Sequence, residues 1–229
     1  MEPGPEYRKA AERIDALVRD LGPEDLDRPV PACPRWTVAD LVRHLCGVAG
    51  DVVNGTMDGA PGEEWSARHV AARADRSVPD VLDEWSGYGD PMTPVFTGGG
   101  SLGFILLADV ISHEHDLRGA LGVPGDRADP AVGEVAARFV KGMGRRLDEA
   151  GVPALRIVSG GRELLAGSGE PGATVEVGDD WELLRGLTGR RTDDELRAWR
   201  WDADPDPWLP HLSVFPLPAA SLGEATATA

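Results

Sequence analysis

The 229-residue sequence predicts a mainly α protein, a helical bundle over residues 1–150 followed by a small α+β domain over residues 151–218. Three observations carry that expectation. Apolar residues recur at helical spacing as far as residue 150. Past Gly151 the pattern changes to the apolar–polar alternation of half-buried strands. And in one helical run, Asp109-Val-Ile-Ser-His113-Glu-His115-Asp116-Leu-Arg118, charged groups stand among residues apolar enough to pull the helix into a core.

From near Tyr7 to Asp20, Ile14, Leu17 and Val18 keep helical spacing, with Leu21 just beyond. Pro23, Pro29, Pro31 and Pro34 rule out a continuous helix and imply a loop. Thr37 is a good N-cap, and Asp40 completes a capping box with Asp in place of Glu. The helix it starts carries Val38, Leu41, Val42, Leu45, Val48, Ala49, Val52 and Val53 as an apolar stripe, with His44 beside it. Residues 58–77 are polar, with a short helix from about Glu63 to Ala74. Residues 78–87 form another, with Val78, Val81, Leu82 and Trp85 inward. Thr97-Gly-Gly-Gly-Ser101 is a flexible break, and the helix of Asp109 runs from there to a Gly122-Val-Pro124-Gly125 stop.

A last long helix spans about Pro130 to Ala150, started near Asp129 and faced by Val132, Val135, Ala136, Phe139, Val140, Met143 and Leu147. Strands follow at residues 155–159, 173–177 and 199–201, and short helices at 181–187 and 193–198. Val158-Ser-Gly-Gly-Arg162 reads as a turn between strands. Residues 219–229 read as a frayed, disordered tail.

A formal charge of −16 and a pI of about 4.6 disfavour binding to nucleic acid or to an anionic membrane surface. No segment approaches the length of a membrane span, and the N-terminus has no apolar signal region. The two cysteines, Cys33 and Cys46, make no disulfide framework. The chain therefore reads as cytoplasmic with reduced thiols. Cys46 reads as a buried structural thiol rather than a nucleophile.

On a helix, Asp109, His113 and Asp116 fall within about one 100°-wide stripe. Burying such groups is costly unless they are paired, hydrogen-bonded or bound to a metal. A carboxylate and an imidazole at i, i+4 can grip one divalent cation with a third ligand from another helix, and His44 is the candidate. Two imidazoles and a carboxylate suit zinc or another first-row metal. The plainer alternatives are an internal Asp109–His113 hydrogen bond with no metal, and a satisfied core histidine at position 44. Asp116 serves either as a helix-to-helix salt bridge or as the acceptor behind a histidine N–H. His115 lies roughly 200° around the helix from His113 and faces elsewhere with Glu114. His69, in a polar stretch, and His211, in a Pro-rich one, read as surface or packing residues. The chain has no Gly-x-Ser-x-Gly elbow, phosphate loop or His-Glu-x-x-His motif.

The segment Arg35-Trp36-Thr37-Val38-Ala39-Asp40-Leu41-Val42-Arg43-His44-Leu45 resembles the second-helix signature of the mycothiol-dependent maleylpyruvate isomerase family, a branch of the DinB-like metalloprotein superfamily. Asp109-x-x-x-His113-x-x-Asp116-x-Arg118 is similar to that family's second metal-site segment, and Leu183 to Arg191 to part of its smaller C-terminal domain. The resemblance implies a DinB-type four-helix bundle that binds one divalent metal, usually zinc. Carried over by position, its ligands fall on His44, Asp109 and His113, with Asp109 where founding members have Glu. It also implies an arginine of the C-terminal domain in catalysis or substrate binding, for which Arg190 is the candidate. The implied activity is that of a metal-dependent isomerase or thiol transferase. Mycothiol is the cosubstrate, and its metal-activated thiolate attacks a small electrophile. The alternative is a DinB-like bundle that binds metal or ligand without turnover, as a stress or regulatory protein.

Overall fold

The helix that carries His44 starts where its capping side chains dictate. The computed structural model describes residues 1–224, and the contacts within it divide the chain between Gly125 and Asp126. The first unit runs α1 (Pro3–Val18), α2 (Pro23–Leu26), β1 (Pro29–Val30), β2 (Cys33–Thr37), α3 (Val38–Asn54), α4 (Glu63–Ala71), α5 (Val78–Gly87), α6 (Thr93–Thr97) and α7 (Leu102–Leu121). The Thr37 hydroxyl accepts from the Asp40 N–H at 3.2 Å, and the Asp40 carboxylate accepts from the Thr37 N–H at 3.2 Å. This closed capping box sets the start of α3 and so the height of His44. α7 ends at Gly122, whose φ of +67° is left-handed.

Packing follows from the apolar faces. α1 lies along α7, while α3 packs on α4, α5 and α7. The Trp85 indole donates to the Tyr7 hydroxyl at 3.0 Å, which ties α5 to α1 inside the core. α1, α3, α5 and α7 are the bundle. The proline-rich stretch expected as a loop is a short antiparallel hairpin instead, with Pro29 opposite Thr37 and Val30 opposite Cys33. A two-stranded ribbon this short tolerates prolines because its edges are not part of a larger ladder.

One charged cluster lies on the side of α7 that faces α1. Arg13 of α1 forks onto Glu114, with Nε to Oε1 at 2.9 Å and Nη2 to Oε2 at 2.7 Å. Arg118 donates to the same carboxylate from one turn further along α7, at 3.0 Å. Burial pushes the Glu114 carboxyl up, but the two guanidiniums outweigh it and hold the group below the usual carboxylate range.

The second unit runs α8 (Pro130–Ala150), β3 (Ala154–Ser159), β4 (Arg162–Ala166), β5 (Pro171–Val177), α9 (Asp180–Leu187), α10 (Asp193–Arg197), β6 (Arg200–Trp201) and α11 (Leu209–Leu212). Its sheet has the order β4-β3-β5-β6, with β3 parallel to β5 and the other pairs antiparallel. Gly160 and Gly161, at φ +55° and +74°, form the tight turn between β3 and β4 that only such a pair accommodates easily. α8 packs on α9, β4 and β3. The sequence reading places α8 with the bundle and the boundary near residue 150. The contacts place α8 with the sheet, because its apolar stripe is buried there.

Unit two also buries charge. Arg185 and Arg191 have 0% and 1% of their side chains exposed. Arg191 donates to both oxygens of Glu182 at 2.8 Å, and to Glu224 at 2.7 Å. Arg185 also donates to Glu224, at 3.0 Å through Nε. The chain expected to fray from Ala219 is thus tied down as far as Glu224. The remainder of that expected tail, residues 225–229, lies outside the described residues.

Two stability outcomes are expected. Glu114→Gln loses roughly 1–3 kcal/mol in urea denaturation near neutral pH. Because the Glu114 value is depressed, the wild-type advantage is full above its ordinary value of 4.5 and shrinks as pH falls through the depressed one. A gap between the two proteins that widens in acid would contradict this. Glu224→Ala, near the chain terminus, costs on the order of 3 kcal/mol, because it removes a carboxylate shared by two buried guanidiniums. An ordinary surface change stays within about 0.5 kcal/mol.

Candidate metal centre

His44 comes from the second turn of α3, and Asp109 and His113 come from successive turns of α7. α3 packs on α7, so the two helices bring one ligand atom from each of the three residues within 4.8 Å of one another. His113 Nε2 lies 3.4 Å from Asp109 Oδ1. That is long for a hydrogen bond between two such groups. Tetrahedral ligation at about 2.1 Å separates two ligand atoms by about 3.4 Å, so the spacing and the donor set fit a zinc-sized cation.

The other ring nitrogen of His113 is engaged. Nδ1 lies 2.9 Å from Oδ2 of Asp116, whose side chain is fully buried. A carboxylate accepting from Nδ1–H leaves the lone pair on Nε2, the nitrogen that faces Asp109. Burial alone would lower the His113 pKa. The carboxylates of Asp109 and Asp116 outweigh it and raise the value well above the ordinary one. With no metal the two acids therefore hold a proton on His113, and a divalent cation would take that proton's place.

His44 has the opposite bias. Burial pulls its pKa down to about 3, with Asp109 opposing and His113 adding to the fall, so its ring is neutral and able to ligate. The Trp36 ring lies over it at 4.7 Å, and that of Trp65 stands edge-on at 5.9 Å. Trp36 comes from β2, the hairpin strand that leads into the Thr37 cap. The same strand sets Cys33 Sγ 3.9 Å from Asp116 Oδ2, and Cys33, His113 and Asp116 form a second group with ligand spacing. Cys46, on another face of α3, is buried, and burial pushes its thiol up to about 12.

Of the two sequence readings of His69, surface or packing, the structure gives the packed one. The residue is 4% exposed. Its Nδ1 lies 3.2 Å from Nδ1 of His44, and its Nε2 lies 3.1 Å from Oδ2 of Asp51. The Trp65 indole donates to the same Asp51 oxygen at 2.6 Å, and the Thr56 hydroxyl donates to Asp51 Oδ1 at 2.9 Å. Room for the His69 ring comes from Gly47. A Cβ there would stand 2.2 Å from His69 Cγ. The available signal in the sequence was His44, Gly47 and Asp51 at i, i+3 and i+7 on one face of an apolar helix. His115 is buried but belongs to neither ligand group. Arg190 belongs to the second unit, where it is 8% exposed and donates to the Thr188 carbonyl at 2.6 Å.

Residues 7–118 match the family described as the mycothiol maleylpyruvate isomerase N-terminal domain. Two solved structures are similar to the chain: a mycothiol-dependent maleylpyruvate isomerase and a histidine-to-alanine mutant of that enzyme. Their TM-scores are 0.59 and 0.58 at 13% identity, over 88% of this chain and 92% of theirs. At that identity the likeness is one of fold. No curated protein matches the chain. Among the described residues, no helix is long and apolar enough to cross a membrane.

Gly47→Ala should be destabilising although alanine is the better helix former. The new Cβ overlaps His69, and relieving that overlap costs about 1–3 kcal/mol. Gly50→Ala, on the same helix, meets only the Tyr88 hydroxyl end at 3.2 Å and should cost less. Thermal melts of the two variants check the order.

Proposed function

We propose, from the match of residues 7–118 to the mycothiol maleylpyruvate isomerase N-terminal domain family, that the chain is a zinc-dependent enzyme that uses mycothiol on a small electrophile, as isomerase or thiol transferase. The observation that carries the reading is the convergence of His44, Asp109 and His113 inside the matched region. Two neutral imidazoles and one carboxylate would hold the metal from one side and leave further positions for a thiol or water. When bound, the metal would lower the pKa of the mycothiol thiol, giving a thiolate at neutral pH.

The chain's own residues prepare that step. Asp116 holds the Nδ1 proton of His113 and so orients its ring. Trp36 and Trp65 wall His44 with aromatic surface, which lowers the local dielectric and strengthens the interaction of charges there. The thiolate would add to one carbon of an electrophilic alkene, making a carbon–sulfur bond and moving the π pair onto the activating group. Rotation about the carbon–carbon bond that has lost its π pair, then return of that pair from the activating group with expulsion of the thiolate, completes an isomerisation. Protonation of the adduct completes a transfer. Arg190 enters the proposal as a cation for an acidic substrate. Free Cys33 and Cys46 suit a reducing, cytoplasmic setting.

Purified protein should carry about one zinc per chain and support mycothiol-dependent turnover of maleylpyruvate or a related electrophilic alkene. His113→Ala should lose the zinc and the turnover together, read by elemental analysis and by a spectrophotometric assay. Full metal content and activity in that variant would overturn the proposal. Zinc binding by the wild type with no thiol-dependent turnover of any electrophile would point to the non-catalytic binding protein instead.

A further inference from the structure

Behind His44 two imidazoles meet nitrogen to nitrogen. The Nδ1 atoms of His44 and His69 are 3.2 Å apart, and both rings are buried. When both rings are neutral, one of these nitrogens must donate and the other accept. Which ring donates is decided at the far end of the chain of contacts. An ionised carboxylate only accepts hydrogen bonds. Burial opposes ionisation of Asp51, but the bonds from His69, Thr56 and Trp65 outweigh it and hold the carboxyl below its usual range. His69 Nε2, 3.1 Å from that carboxylate, is therefore the protonated nitrogen. With its one ring proton on Nε2, His69 presents a bare Nδ1 to His44. His44 must supply the proton from its own Nδ1, and its lone pair falls on Nε2.

We infer that Asp51 and His69 are positioning residues that fix His44 in the Nδ1–H tautomer, the form able to ligate a cation through Nε2. The inference deepens the proposed metal-dependent function and rests on it for its purpose, but the tautomer itself does not require the metal. The two histidine ligands are then prepared alike. Asp116 sets His113 directly, and Asp51 sets His44 through one intervening imidazole. The arrangement also gives Gly47 its role. A helix-interior glycine destabilises α3, and here it admits the ring that carries the relay. His69 reaches that gap from α4, which packs on α3.

Nuclear magnetic resonance on the metal-free full chain, with nitrogen-15 in the histidine rings, reads the tautomers directly near neutral pH. His44 should carry its proton on Nδ1, and His69 on Nε2. A His44 ring protonated on Nε2 would overturn the inference. Zinc affinity, measured by competition with a chromophoric chelator, gives a second reading. His69→Phe keeps the ring volume but offers no acceptor, and should weaken zinc binding roughly 10- to 100-fold. An affinity within about twofold of wild type, in a variant with the wild-type circular dichroism spectrum, would also overturn it. If the wild type binds no zinc, the proposed function fails while the ring resonances still decide the relay. If His69→Phe does not fold, the wild-type resonances decide alone.

Discussion

Two carboxylates, Asp109 and Asp116, flank one buried imidazole on the bundle face of α7, and that charge balance is the constraint around which the first unit is built. Asp116 is fully buried and Asp109 partly so. Two acids so placed require a cation between them, either a proton on His113 or a metal. The same balance explains why α7 is apolar nearly all round yet carries charge. One face meets α1 through Glu114 and its two arginines, and another faces α3 with the histidine and its acids. Every charged group of the run finds an opposite charge or a hydrogen bond, which is what burial demands.

The supports around this centre come from ordinary secondary-structure chemistry. The capping box at Thr37 fixes the start of α3, and seven residues into that helix His44 faces α7. The hairpin that leads into the cap delivers Trp36 onto the His44 ring and Cys33 toward Asp116. α4 delivers Trp65 and His69 to the opposite side, over the gap at Gly47. The centre is thus held by a strand, a cap and a short helix as well as by the two helices that own the ligands. That is the form of support a metal site needs if its ligands are to keep one geometry.

The second unit solves a related problem by different means. Its parallel β3–β5 pair is covered by helices, and two arginines on and just after α9 are buried against Glu182 and Glu224. Glu182 precedes its partner Arg191 by nine residues, so the bond crosses the turn after α9. Glu224 reaches the same cluster from the far end of the described chain. Buried ion pairs of this kind contribute less to net stability than to having one defined arrangement, since leaving either partner alone is costly.

Periodicity alone determined much of this. The helical runs, the stops at Gly122 and Gly151, the capping box and the change to strands past residue 150 follow from local rules of spacing and backbone freedom, so they are legible residue by residue. The stripe of Asp109, His113 and Asp116 is legible for the same reason, because three polar groups on one apolar helix are a local contradiction. What required the tertiary structure were contacts with no spacing rule. Nothing local says that α8 gives its apolar stripe to the sheet, that the prolines of residues 29–34 bend into a hairpin, or that Glu224 completes an arginine cluster. His69 is the clearest case. Its neighbours in sequence are polar, and its burial comes from α4 docking on α3, where a missing Cβ makes space for its ring. A sequence displays the groups that must be compensated, and only the packing of distant segments decides which groups compensate them.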